Sequence, residues 1–424
     1  MNKSLRSAWV VGVLTLMVLV PAGCSPALLR DQVNRLVVPQ NTVQRGSPPE
    51  DPTNRILLQG TDGNLYIASP DGQERFALTD DASRRRIYGQ PTWSPDASRV
   101  AWNLLTRRGT SLGSSRFDGS ERMTLDVPYL PFYISWSPSG EQLAYLSNWQ
   151  VVDEPSMALR VVDVASSGKT VKTVATGQPF YFSWAPEGER LLAHIDNERV
   201  EVYDVAADAD AVESLVISGG EFSTPQWSSN GEQLVYAVAD ERMQQLLVTD
   251  VAGNPLQNVT DYDGRVSFSL SPDGSRLAYV ATEADVEAPT LGALYIVDID
   301  TLRTQEISAE PVIAFFWSPD SSKLAFLALD SVNRRIGMRW SVWDESGTQD
   351  YAAFFPTREL LQNFLPFFDQ YAQSHRIWSP ASDALVFAGT LANGQSGVWV
   401  QPIGGEEAPP VRLGDGVLAT WSPR

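Results

Sequence analysis

A tetrapeptide of the form Trp-Ser-Pro-Asp, or a close variant, recurs eight times between Trp93 and Pro423, and this repetition constrains the fold more than any other feature. The copies begin at Trp93, Trp136, Trp184, Trp227, Leu270, Trp317, Trp378 and Trp421, spaced 43, 48, 43, 43, 47, 61 and 43 residues apart. Such a period is the length of one four-stranded blade of a β-propeller.

Each copy carries the chemistry of a tight turn. Proline presets φ at the second turn position, and Asp then Gly accept the compact or left-handed conformations that follow. The runs after the turns, such as Leu143-Ala144-Tyr145-Leu146, Leu277-Ala278-Tyr279-Val280 and Leu324-Ala325-Phe326-Leu327, are almost continuously apolar. That pattern suits strands covered on both faces. A third strand follows, as at Val200-Glu201-Val202-Tyr203-Asp204 and Leu294-Tyr295-Ile296-Val297-Asp298, and a weaker outer strand completes the unit. The anchor tryptophans are expected to fill the wedge between units, because aromatic side chains bury large apolar areas.

The two ends of the repeat region complement each other. The sequence reaches Arg424 with an inner strand and its turn, whereas Arg55-Ile56-Leu57-Leu58 reads as a strand that should follow a turn. Pairing them completes one unit and removes open sheet edges. The expectation is therefore an all-β fold: an eight-bladed β-propeller of four-stranded antiparallel blades over residues 55–424, closed by pairing the N- and C-terminal strands.

Anchors of this form followed by Leu-Ala-Tyr or Leu-Ala-Phe, as at Leu277-Ala278-Tyr279 and Leu324-Ala325-Phe326, resemble the WD-repeat-like repeats of TolB and of the dipeptidyl-peptidase propeller. The resemblance covers essentially everything after Arg55. It implies a propeller, and it leaves open a binding platform, a gate for an enzyme, or an enzyme, since one fold hosts many functions.

The N-terminus reads as an export signal over residues 1–23. Lys3 and Arg6 are basic, residues 8–20 are apolar-biased, and Pro21-Ala22-Gly23-Cys24 resembles a bacterial lipobox. The apolar stretch is short against the roughly 20 residues of a membrane-spanning helix. Cys24 is the single cysteine, so lipidation is its expected use, with residues 24–54 as a tether. An exported lipoprotein on the periplasmic or cell-surface side of a membrane follows, attached through its N-terminal lipid. The formal net charge of −19 repels nucleic-acid backbones and anionic headgroups, so nucleic acid is not an expected partner.

Departures from the repeat period collect in loops that share one face: residues 148–156, 282–290 and 356–376. Insertions gathered on one face of a repeat protein mark a binding face. The longest is expected to begin as a short helix capped by Thr357, with Leu360, Leu361, Phe364, Leu365 and Phe368 at helical spacing and Pro366 ending or kinking it. It reads as a lid over a central channel, a docking ridge, or a helix packed on the propeller. The same face should carry Arg84, Arg85 and Arg86, and Arg107 and Arg108, whose forked donors suit carboxylate or phosphate groups. The candidate binding face comprises these five arginines with Trp149, Phe364, Phe367, Phe368 and His375.

Catalytic signals are few. Gly109-Thr110-Ser111-Leu112-Gly113 has the spacing of a nucleophile elbow without the strand-to-helix context that motif requires. The two histidines, His194 and His375, show no zinc-ligand spacing, and Asp208-Ala209-Asp210 and Asp261-Tyr262-Asp263-Gly264 read as turns rather than calcium loops. Asp369 and His375 would form an acid–base pair if the insertion folded over the channel. No catalytic residue, cofactor or metal is expected. The leading expectation is a monomeric propeller acting as a scaffold or recognition module for an envelope protein or peptide. Alternatives are an accessory subunit gating a separate hydrolase, or an enzyme acting on peptide or glycan.

Overall fold

The computed structural model of the protein describes residues 44–424 other than 152–153, 165–170, 206–211, 216–222, 240–243, 283–290 and 405–407. The segments expected to be the signal and the lipidated Cys24 lie outside the described residues, as does Asp208-Ala209-Asp210.

The fold is all-β and propeller-like, built from antiparallel four-stranded sheets in simple up-and-down order. Arg86–Trp93, Arg99–Thr106, Gly109–Arg116 and Met123–Val127 form one such sheet. Its first strand begins at what we call the rim end and finishes at the repeated turn. The connection between its second and third strands returns to the rim.

The repeated turn is held by its own side chains. In the first copy the Ser94 hydroxyl donates to Asp96 Oδ1 (2.6 Å) and accepts the Arg99 N–H (2.9 Å), while the Ala97 N–H donates to the Ser94 carbonyl (2.9 Å). The fourth residue after the anchor must be left-handed: φ is +73° at Gly140, +81° at Gly188, +73° at Gly231 and +77° at Gly274. Ala97, Ser321 and Ser382 adopt the same conformation at +61°, +61° and +59°, against the steric cost a Cβ incurs there. The two serines use their hydroxyls, which accept the N–H of Asp273 (3.0 Å) and Asp320 (3.2 Å) in the turn before each of them.

Neighbouring sheets pack face to face through apolar layers, as Ala101, Leu112, Leu125 and Val127 do on Ile134, Trp136, Leu143 and Tyr145. The anchor tryptophans are buried apart from the half-buried Trp184, and three also bond to the preceding repeat. Trp136, Trp317 and Trp378 donate their indole N–H to the carbonyls of Thr92 (3.4 Å), Ser269 (3.0 Å) and Phe316 (2.9 Å), each the residue just before the preceding anchor. Leu270 has no indole, and around it the side chain of Gln226 links the sheets instead, donating to the Phe268 carbonyl (3.0 Å) and accepting the Leu270 N–H (2.9 Å).

The chain ends share a sheet. Leu418–Trp421 pairs with Ile56–Gln59, which pairs with Leu65–Ala68 and then Arg75–Ala77. Part of the expected tether also docks there, because the Ala77 N–H donates to the Arg45 carbonyl (2.7 Å) and Arg45 pairs with Asp80 (2.6 Å).

Separate sheets are expected throughout, yet the strands from Arg265–Leu270 to Val411–Gly414 form one continuous path. The reason is local. Thr304–Trp317 stays extended across a link, pairing through its first half with Gly292–Asp298 and through its second half with Leu324–Val332. Phe354–Pro356 likewise bridges Arg335–Asp344 to Ala384–Leu391.

Candidate functional site

Register brings the two arginine groups together. Arg86 lies opposite Thr106, so residues 84–86 and the Arg107-Arg108 hairpin tip occupy the rim end of one sheet. Arg84, Arg85, Arg107 and Arg108 are exposed. Arg86 is half-buried and committed elsewhere, paired with Asp81 (3.0 Å) and donating to the Tyr88 hydroxyl (2.9 Å). Arg85, Arg107 and Arg108 carry no ion pair among the described residues. Several arginines elsewhere are neutralised locally: Arg99 by Glu121, Arg190 by Glu187, Arg276 by Glu345, and Arg339 by Glu310, Asp330 and Asp350. In a chain with 51 acidic residues against 32 basic ones, three exposed arginines without an ion pair at the rim end of one sheet make a locally basic patch.

Trp149 stands at the rim of the next sheet, opposite Ser156. Its half-buried ring covers Arg160, whose guanidinium carbon lies 5.3 Å from the Trp149 ring centre and 5.4 Å from that of Tyr129 in the preceding link.

Residues 356–376 do not form the regular helix that the spacing predicts. Leu360–Phe364 is a wide π-type turn, Leu365–Phe367 a tight one containing Pro366, and Phe368–Tyr371 a single α-turn. Pro366 lacks the N–H that a continuing helix needs. Thr357 does accept the Leu360 N–H through its hydroxyl (3.3 Å), and donates that hydroxyl to the Val417 carbonyl (2.7 Å).

The segment reaches the first strands of most sheets. Tyr371 donates to Gln90 (2.8 Å) and to the Phe132 carbonyl (3.0 Å), Tyr133 donates to the Gln370 carbonyl (3.0 Å), and the Thr224 N–H donates to Asp369 (3.1 Å). The Gln370 amide behaves as a strand residue, donating to the Phe182 carbonyl (2.7 Å) and accepting the Phe182 N–H (2.9 Å). Phe368 packs edge-on against Phe315 and Phe316. One short segment touches all these strands only because they converge on it, so residues 356–376 plug their meeting point.

This placement corrects part of the expected binding face. Phe364, Phe368 and His375 are buried in the plug and offer no surface to a partner. Phe367 is the exposed exception, edge-on to Tyr181. The Asp369–His375 pair is not assembled: Asp369 bonds to Thr224, and His375 Nδ1 lies 2.8 Å from the Ser374 hydroxyl. Burial raises the Asp369 carboxyl and lowers the His375 imidazole to about 4. Ser111 lies within a strand and donates to Asp126 (2.8 Å), while His194 Nδ1 is 3.0 Å from the Ser223 carbonyl. Neither histidine bonds to Ser111. In the 261–264 turn, Asp261 accepts from Gln245 and Asn258.

Compared with known families, residues 56–288, more than half of the chain, match the TolB beta propeller domain. The chain belongs to the TolB beta-propeller family. Among curated proteins none matches the sequence. Solved structures are similar at low identity. A eukaryotic initiation factor is 11% identical with a TM-score of 0.57, covering 90% of this chain and 99% of that one. The dihydro-heme d1 dehydrogenase NirN, in complex with DHE, is 12% identical with a TM-score of 0.59, covering 90% and 78%. TolB from Acinetobacter baumannii is 19% identical with a TM-score of 0.38, covering 62% and 66%. The first two likenesses carry the fold alone.

For this TolB-type propeller the sequence pattern located the exposed arginines and the plug, and missed Tyr129, Arg160 and Gln370. Arg160 did leave a signal: it is the one charge within Ala158-Leu159-Arg160-Val161-Val162.

Proposed function

We propose that this chain is an eight-bladed ring, closed by its terminal strands and lipid-anchored through Cys24, that works as a protein-binding scaffold or recognition module of the cell envelope. The observation that carries the reading is the plug. With residues 356–376 bonded to the converging strands, the rim around them is left to do the binding. The unpaired arginines on that rim favour an acidic partner, whereas the net charge of −19 disfavours acidic molecules over the protein as a whole.

Turn-to-turn contacts support the ring. A Cβ built on Gly188, Gly231 or Gly274 would meet the preceding turn at Pro138, at Glu187 and Pro186, or at Ser229, and Ser321 and Ser382 bond the turns before them. A catalytic reading through channel carboxylates draws no support from Asp369, which is spent on the Thr224 backbone.

The test is affinity purification of the lipidated protein from its native envelope beside an Arg85→Glu/Arg107→Glu variant. A stoichiometric partner lost in the variant, and weakened by salt in the wild type, is expected. A partner retained equally by both overturns the assignment of the rim.

A further inference from the structure

Arg160 is the one buried arginine among the described residues. Its side chain is 2% exposed, Nη1 donates to the Ser147 hydroxyl, and Nη2 has no acceptor. Among the described residues no carboxylate pairs with it. Asp126, on the outer strand of the sheet that this face packs against, accepts from Ser111. Directly opposite Arg160 across the strand pair is Tyr145, whose buried hydroxyl is also without a partner. Burial lowers the Arg160 guanidinium and pushes the Tyr145 phenol up to about 12. Two hydrogen-bond donors thus stand side by side without an acceptor, and a buried charge in that state is costly.

The site lies just beneath the surface. Tyr129 and Trp149, both half-buried, lie 5.4 and 5.3 Å from the guanidinium carbon, within the range at which aromatic rings attract a cation. Arg107 and Arg108 stand exposed at the same rim end of the adjoining sheet. The donor fork fits a carboxylate, whose two oxygens accept from parallel donors.

We propose that Arg160 and Tyr145, covered by Trp149 and Tyr129 and fronted by Arg107 and Arg108, form a recognition site for a carboxylate side chain on an acidic peptide segment. Trp149 moves aside to admit the carboxylate, and the exposed arginines steer the segment in. The inference rests on the rim being the binding face and adds the chemistry of what is bound.

The experiment uses the full-length protein in detergent, an end-blocked tetra-glutamate peptide as probe, and tetra-glutamine as control, followed by calorimetry and tryptophan fluorescence. Tetra-glutamate is expected to bind and tetra-glutamine not to. Arg160→Lys, which keeps the charge and loses the fork, should weaken binding tenfold or more. Trp149→Phe should abolish the fluorescence change while binding persists.

Arg160→Met should abolish binding and raise the urea midpoint, because it removes an unpaired buried charge; a role confined to packing Trp149 predicts a lowered midpoint instead. Should that variant fail to fold, the Arg160→Lys titration decides. Binding unchanged in Arg160→Lys, or equal for the two peptides, overturns the proposal. Inorganic phosphate or acetate competing as tightly as the peptide overturns the assignment to a peptide segment. If envelope capture depends on Arg85 and Arg107 while tetra-glutamate binding ignores Arg160, only this inference fails and the rim reading stands.

Discussion

Gln370→Ala should loosen the plug and destabilise the whole propeller. The Gln370 amide is 2% exposed and makes both hydrogen bonds to the Phe182 backbone, at 2.7 and 2.9 Å. Truncation leaves the Phe182 N–H and carbonyl buried without partners, at about 1–3 kcal/mol each. Relaxation of the strand recovers some of this, so we expect a loss of about 3 kcal/mol in total. Gln373 is exposed one turn away, and Gln373→Ala should change stability by no more than about 0.5 kcal/mol. Urea denaturation followed by tryptophan fluorescence reads the loss, and amide hydrogen exchange at Phe182 locates it. A Gln370→Ala loss below about 1 kcal/mol with unchanged exchange at Phe182 would refute the idea that the plug is stitched to the strands it touches.

Three further outcomes follow from the turns and the plug. His375 is held neutral by burial, with its imidazole lowered to about 4, so the unfolded chain alone gains this proton between about pH 6.5 and 4 and stability falls on acidification by up to about 3 kcal/mol. His375→Gln should flatten that slope in urea titrations at several pH values. Asp369, whose carboxyl is raised by burial, acts in the opposite direction and is common to both proteins, so the difference isolates the histidine. Ala97→Gly should raise the thermal midpoint slightly by relieving a left-handed Cβ, whereas Ser382→Gly should lower it, because the Asp320 N–H loses its acceptor. Gln226→Ala should cost about 2 kcal/mol, since two bonds to the next first strand disappear where Leu270 supplies no indole.

The repeat made the strands legible, because turn chemistry and apolar runs are local properties that the period then orders. Arg55–Leu58 was recognisable as a strand lacking a turn for the same reason, and the structure pairs Ile56–Gln59 with Leu418–Trp421. Helical spacing in the plug was also visible. It did not reveal that Phe364 and Phe368 face inward, because their burial is set by first strands more than forty residues away in the sequence, such as that carrying Phe316. The exposed arginines could be placed from loop position alone, which depends only on strand order. Arg160 could not: its meaning comes from Tyr145 across the strand pair and from two rings in separate loops. Gln370 is similar, since an amide that substitutes for a strand partner looks like any polar loop residue until its neighbour is known.

Site-directed photo-crosslinking in the native envelope tests the central claim most directly. A benzophenone label is attached through Arg107→Cys at the rim or Asn230→Cys in an exposed turn at the other end. Covalent capture of one acidic protein from Arg107→Cys and none from Asn230→Cys is the predicted result. Capture through Asn230→Cys alone would contradict the account, because it would put the partner on the turns rather than on the rim around the plug.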